Sequence, residues 1–124
     1  MNIQGQRAAL METLTDMLDG LVSSIGIDAQ LARPTAGKVA VFIEPPTVEW
    51  PTWGEPVPTW TLDVIAGTPA TQPSAIDDIL TALDRLASKG LNLQKATPAS
   101  WNLAGAGTLA AYQVTLNALE METE

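Results

Sequence analysis

Two stretches of this chain carry apolar residues three and four positions apart, and this spacing constrains the fold more than any other feature. Each stretch predicts an amphipathic helix with one apolar stripe. The first spans about residues 4–24, with Gly26 as its expected end, and the second spans 75–89. The first stripe comprises Leu10, Leu14, Met17, Leu18, Leu21, Val22 and Ile25, and the second comprises Ile76, Ile79, Leu80, Leu83, Leu86 and Ala87.

The signals at the two ends of the second helix are clear. Ser74, followed three residues later by Asp77, resembles a capping box and is expected to open the helix. Gly90, followed by the apolar Leu91, is typical of the position just past a helix C-terminus.

Four other segments read as strands. Residues 38–44 are β-branched and apolar on both faces, which predicts a covered central strand, and 59–66 is expected to pair with it antiparallel. Residues 94–103 and 108–119 predict a terminal hairpin that turns at Ala104-Gly105-Ala106-Gly107. We therefore expect one α+β domain over 1–124, with the order α-β-β-α-β-β. Its sheet would have four mainly antiparallel strands, with both amphipathic helices packed on one face.

Between the first two strands lies a segment of unusual composition, residues 45–58, which contains five prolines. Proline cannot donate to a sheet ladder or continue a helix, so the segment predicts an extended, stiffened loop. Four of the six aromatic residues of the chain are tryptophans, and Trp50 and Trp53 lie in this loop. Tryptophan is enriched at interface hot spots, and proline lowers the entropic cost of ordering a binding loop.

These residues are the candidate protein interface: Trp50, Trp53, Glu49, Glu55 and Val57. The alternative for the two tryptophans is that their rings fold back onto the edge of the sheet. Trp60 is in phase with Leu62 and Val64, so we expect it in the core, and we expect the same of Trp101.

Composition removes most catalytic chemistry. The chain has neither cysteine nor histidine, which excludes disulfides, thiolate metal sites and the commonest general base. Asp77 and Asp78 are explained by their place at a helix start, and Asp63 is expected on a solvated strand face. We expect no catalytic, cofactor or metal site and no enzymatic activity, although catalysis by carboxylates such as Asp63 or Asp77 remains an alternative.

Charge and hydropathy bear on the partners. The net charge is −8, and the six basic residues are spread along the chain, which argues against nucleic-acid binding. No stretch approaches the ~20 apolar residues of a membrane span, so we expect no membrane partner.

The order of elements is similar to that of the tail terminator proteins of bacteriophages with long, non-contractile tails. The resemblance lies in the N-terminal helix, the proline-bearing loop and a strand that ends in Ala66-Gly67. It continues in the helix Ile76-Asp77-Asp78-Ile79-Leu80-Thr81-Ala82-Leu83 and the last alternating strand.

The resemblance implies a structural virion protein of the tail or neck, assembled in the host cytoplasm. It would form a ring, usually a hexamer, that caps the tail tube, ends its polymerisation and meets the head-side connector or stopper protein. DNA would pass through the ring without specific binding. The alternatives are another head–tail joining protein, such as a stopper or adaptor, and a small adaptor domain that binds one protein through the same loop without a ring.

Overall fold

The computed structural model describes residues 3–28, 34, 37–66, 72–103 and 107–117. Two helices and seven strands follow one another along these residues. Their bounds are α1 Ile3–Met17, β1 Val22–Gly26, β2 Val39–Ile43, β3 Thr47–Thr52, β4 Glu55–Thr59, β5 Thr61–Ala66, α2 Gln72–Ser88, β6 Leu93–Leu103 and β7 Gly107–Leu116.

The main sheet has five strands in the order β1-β2-β5-β7-β6. β1 and β2 are parallel, and the other neighbours are antiparallel, including the predicted β2–β5 pair and the terminal β6–β7 hairpin. β3 and β4 form a separate two-stranded sheet. The α+β class is therefore right, but the predicted four-stranded sheet and the order α-β-β-α-β-β are wrong.

One strand was missed because its apolar residues continue the helical spacing of α1. The helix ends at Met17 rather than near Gly26, and Gly20 follows with a φ of 84°. A positive φ is typical of the residue that terminates a helix, so Gly20, and not Gly26, ends α1. Val22 and Ile25 then pack on the core from β1, not from a continuation of the helix.

Both helices pack on the same face of the main sheet, as predicted. Leu10 and Leu14 of α1 and Ile79 and Leu86 of α2 share one buried cluster with the sheet. The sheet residues in this cluster include Val39, Val41, Leu62, Val64, Val114 and Leu116. The core thus lies between the helices and one side of β2, β5 and β7.

The apolar face of α2 is rotated from the predicted stripe. Ala75 and Ala82 complete the buried face, because small side chains let the helix approach the sheet closely. Ile76 and Leu80 are exposed. The helix begins at Gln72, so Ser74 lies in the first turn and not at the cap.

The predicted end of α2 is confirmed. Gly90 has a φ of 95°, and its N–H donates to the carbonyl of Ala87 at 3.1 Å. The N–H of Leu91 donates to the carbonyl of Leu86 at 3.0 Å, which completes a Schellman motif.

A candidate protein-binding hairpin

The proline-rich segment forms a β-hairpin and not the predicted extended loop. Thr47 is opposite Thr59 and Glu49 is opposite Val57, and a bulge interrupts the pairing before Thr52. We call residues 47–59 the tryptophan hairpin. Trp53 and Gly54 form its turn, and the φ of 74° at Gly54 is one that favours glycine.

Prolines fit this hairpin because it has two open edges. Pro56 and Pro58 lie two positions apart on β4, so their nitrogens are directed to the same side of the strand. Since proline has no N–H, that side is the edge facing away from β3. The outer edge of β4 therefore offers carbonyl acceptors but no donors at these two positions. This protects β4 against the addition of another strand, so we expect contacts through side chains.

The hairpin presents large apolar side chains to solvent. Trp53 is 98% exposed at the tip, Trp50 is 65% exposed and Val57 is 42% exposed. Glu49 is exposed directly opposite Val57. Glu55 begins β4, and its side chain lies outside what the structure describes. Four of the five predicted interface residues are thus exposed on one hairpin, and their role in binding stays a prediction.

A buried polar contact anchors the base of the hairpin on the helix side. Trp60 follows β4, is 1% exposed and belongs to the main core, as predicted. Its Nε1 donates a hydrogen bond of 2.6 Å to Oε1 of Gln6 in α1, and Gln6 is itself buried. The N–H of Leu116 also donates to the carbonyl of Trp60 at 3.0 Å. This arm of the hairpin is therefore tied to both α1 and β7.

A second polar cluster anchors the other arm on the opposite side of the sheet. Glu44 links β2 to the start of the hairpin, and its N–H donates to the carbonyl of Thr61 at 3.0 Å. Nε2 of Gln113 in β7 donates to Oε2 of Glu44 at 3.1 Å. Asp63 lies on β5 opposite both Gln113 and Phe42, and it is 5% exposed. The expectation that Asp63 faces solvent is wrong.

Burial governs the titration of Asp63. Desolvation disfavours its ionised form most, and a hydrogen bond to Glu44 and the negative charge of that residue act in the same direction. Together they raise the pKa of Asp63 to about 8. The carboxyl is therefore mostly neutral at pH 7 and can donate its proton to Glu44.

Two aromatic rings pack on another part of this second face. The small buried cluster comprises Ala40, Ile65, Leu109 and Ala111. Phe42 and Trp101 pack against it, with ring centroids 5.4 Å apart. Trp101 thus packs on a core, as predicted, although on the side away from the helices. No described residue accepts a hydrogen bond from its buried Nε1.

The structure does not bring the other sequence candidates together. Asp77 is exposed on α2, and Asp78 next to it is half-buried. Among the described residues, no three acidic side chains are grouped so as to hold a metal ion. Neither of the two described helices is long and apolar enough to cross a membrane.

The anchoring residues were missed from the sequence. Gln6 lies among helix residues without any motif, and its partner Trp60 is 54 positions away. Glu44 and Gln113 are separated by 69 positions. Asp63, the one carboxylate of β5, was a signal that could have been followed.

A search of protein-family models finds none that matches this chain, and no curated protein matches it either.

Proposed function

We propose that this chain is a structural subunit that associates with copies of itself through the tryptophan hairpin. The observation that carries the proposal is the exposure of Trp53 at the tip of a hairpin stiffened by proline and anchored on both sides of the sheet. An exposed tryptophan keeps a large apolar surface in contact with water, and burial of that surface against a partner is favourable. The described residues expose no other ring as fully.

The shape of the hairpin favours rigid recognition. A two-stranded hairpin alone is at best marginally stable in water, and here Trp60 and Glu44 anchor its two arms. Pre-ordering removes part of the entropic cost of binding. We expect the partner surface that binds the tryptophan hairpin to have an apolar pocket for Trp53 and a contact for Trp50.

A hairpin that reaches into a different surface of the next copy makes a head-to-tail contact. Such contacts close into rings when the rotation between subunits permits it. The resemblance to tail terminator proteins supplies the proposed setting. There the ring, usually of six subunits, ends the tail tube at its head-proximal end and meets the head-side connector. A net charge of −8 suits a ring through which DNA passes, because acidic walls repel phosphate.

Sedimentation velocity of the purified chain over a wide concentration range tests the proposal. We expect the wild type to form an oligomer and Trp53→Ala to shift toward monomer with an unchanged thermal midpoint. Leu80→Ala is the matched control, because it removes an exposed apolar side chain from α2, away from the hairpin. Equal association in wild type and Trp53→Ala would refute the role of the hairpin.

The same exposed hairpin also suits an adaptor domain that binds one different protein. In that case the chain remains monomeric at every concentration and forms a one-to-one complex that Trp53→Ala weakens. Self-association therefore separates the two functions.

A further inference from the structure

The side of the main sheet that faces away from the helices carries a patch of aromatic and exposed side chains. Phe42 on β2 and Trp101 on β6 are both half-buried there, and their ring planes are inclined at 51°. Tilted rings leave edges and faces against which a third ring can pack. The other β6 residues on this side are exposed, namely Lys95, Thr97 and Ala99. We call these five residues the aromatic face.

Trp101 is not tied in place by a polar contact. Its buried Nε1 finds no acceptor among the described residues, whereas Nε1 of Trp60 in the main core donates to Gln6. A buried donor without an acceptor is unfavourable, so a rotation of the ring that brings this N–H to an acceptor on a partner stabilises the complex. The outer edge of β4 offers such an acceptor in the carbonyl of Pro56.

Charge distinguishes the aromatic face from the helical side of the chain. Among the described residues, the helices and the turns just after them carry six carboxylates and three basic groups: Glu12, Asp16, Asp19, Asp77, Asp78 and Asp84, and Arg7, Arg85 and Lys89. On the other side Lys95 is exposed, and the exposed Lys38 immediately precedes β2, in phase with the β2 residues of this side. The carboxylates of the described main sheet on this side are Glu44, which is half-buried at the end of β2, and the buried Asp63. Exposed lysines therefore lie beside the two rings, whereas the helical side presents mainly carboxylates.

The tryptophan hairpin has the complementary character. Its sequence contains Glu49 and Glu55 and no basic residue, and Trp50 and Trp53 are exposed. Because Trp53 is almost fully exposed, the tip of the hairpin does not pack on the aromatic face of its own chain. An acidic, aromatic arm is repelled by the carboxylates of a helical side and attracted by lysines that lie beside exposed rings.

The dimensions of the two surfaces also agree. Lys95 lies six residues from Trp101 on the same strand, which is about 20 Å. Glu49 lies four residues from Trp53, which is at most about 14 Å along the hairpin. The long, flexible lysine side chain can bridge the difference. One docked hairpin can therefore place Trp53 on Trp101 and Glu49 near Lys95.

We propose that the tryptophan hairpin of one copy docks on the aromatic face of the next copy, with Trp53 against Phe42 and Trp101 and with Glu49 near Lys95. This inference rests on the proposed function, since it names the surface that receives the same hairpin. The hairpin and the aromatic face are different surfaces of the chain, so the contact is head-to-tail. An open chain of subunits then keeps one free hairpin and one free aromatic face until a ring closes.

Cross-linking between single-cysteine variants locates the docking surface. The chain has no cysteine, so each variant carries one. Glu49→Cys labels the hairpin, Thr97→Cys labels the aromatic face and Asp84→Cys labels the exposed side of α2. With a short bismaleimide, we expect a covalent dimer when Glu49→Cys is mixed with Thr97→Cys and none when it is mixed with Asp84→Cys. A dimer of Glu49→Cys with Asp84→Cys, or of Glu49→Cys with itself, in place of the expected one would overturn the inference.

Two substitutions on β6 separate the two sides of the sheet. Ala99 and Ala96 are both exposed, but Ala99 lies on the aromatic face, whereas Ala96 is opposite Val114 on the helical side. Ala99→Glu places a carboxylate where the acidic hairpin docks, so we expect association to weaken by at least about tenfold. Ala96→Glu makes the same change on the other side and is expected to leave association unchanged. Thermal midpoints show that both variants are folded, and equal association of the two would contradict docking on the aromatic face.

A second matched pair tests the charge complementarity. Lys95→Glu and Lys89→Glu each reverse one exposed charge, the first on the aromatic face and the second just after α2. We expect only Lys95→Glu to weaken association, by about three- to tenfold at low ionic strength and by less at high salt. Equal effects of the two variants would contradict the contact between the hairpin and Lys95.

The outcomes distinguish this inference from the proposed function. If the wild type associates and Trp53→Ala does not, but Glu49→Cys fails to cross-link to Thr97→Cys, the hairpin binds another surface. That result overturns the inference and leaves self-association through the hairpin intact. If the wild type is monomeric at every concentration, self-assembly is refuted, and the docking of one copy on the next is refuted with it.

Discussion

The contrast between Trp60 and Trp53 gives the sharpest prediction for stability. Trp60→Phe removes the indole N–H that bonds to Gln6 at 2.6 Å inside the core. The loss of this hydrogen bond between two buried side chains costs about 1–3 kcal/mol. The smaller ring also leaves a space in the cluster, which adds about 1 kcal/mol. We expect a total loss of about 2–4 kcal/mol in the free energy of unfolding.

For a chain of 124 residues, the unfolding entropy makes each kcal/mol worth about 4 °C in the thermal midpoint. Trp60→Phe should therefore melt about 8–16 °C below the wild type. Trp53→Phe makes the same chemical change at a side chain that is 98% exposed, so its free energy of unfolding should change by less than about 0.5 kcal/mol.

Urea denaturation followed by circular dichroism measures all of these variants. Gln6→Leu should cost less in the Trp60→Phe background than alone, because the hydrogen bond to Trp60 that it breaks is already lost there. Equal urea midpoints for Trp60→Phe and Trp53→Phe would contradict the buried role of Trp60. An equal cost of Gln6→Leu alone and in the Trp60→Phe background would contradict the hydrogen bond between the two side chains.

Three further predictions concern other parts of the fold. The pKa of Asp63 rises from 3.8 to about 8 on folding, so the native state binds an extra proton and stability falls between about pH 4 and pH 8. Asp63→Asn should remove this pH dependence. Its free energy of unfolding should exceed that of the wild type by up to about 4 kcal/mol at pH 7 and by almost nothing at pH 4. Urea titrations that show equal gains at both pH values would contradict this prediction. Ile79→Ala should cost about 3 kcal/mol in the same assay, whereas a loss under 1 kcal/mol would show that α2 packs loosely. Gly54→Ala should cost about 1 kcal/mol from its positive φ alone, since the space around its Cβ is open, and a neutral result would contradict that turn geometry.

Strong, local periodicity made part of the fold predictable. The α2 sequence carries a polar and an apolar side together with a glycine terminator at Gly90, and these signals agree with one another. The β7 strand alternates cleanly, with Val114 and Leu116 on the core side. These elements formed nearly where they were predicted because local preference and tertiary packing favour the same structure.

The failures arose where a local signal was compatible with two structures. Val22 and Ile25 match a helical stripe, yet the chain turns at Gly20 and places them in a strand beside β2. The prolines of β4 exclude an interior strand but are compatible with the open edge of a two-stranded hairpin. Sequence alone does not show which strand a segment pairs with, or whether the segment lies at the edge of a sheet.

The candidate site also has one part that was predictable from local sequence and one part that was not. The crowding of Trp50 and Trp53 among prolines identified the exposed hairpin, because it is visible in composition alone. The anchoring contacts of Gln6 and Glu44 depend on residues far away in sequence. No periodicity or short motif predicts such contacts, since they arise only when the sheet has formed.

Native mass measurement together with negative-stain imaging of the purified chain, over a concentration series, tests the central claim most directly. The claim predicts closed rings of one size for the wild type and for Leu80→Ala, and monomers for a folded Trp53→Ala. Monomers of the wild type at every concentration would contradict self-assembly. Rings of the same size and number in Trp53→Ala would contradict the role of the tryptophan hairpin.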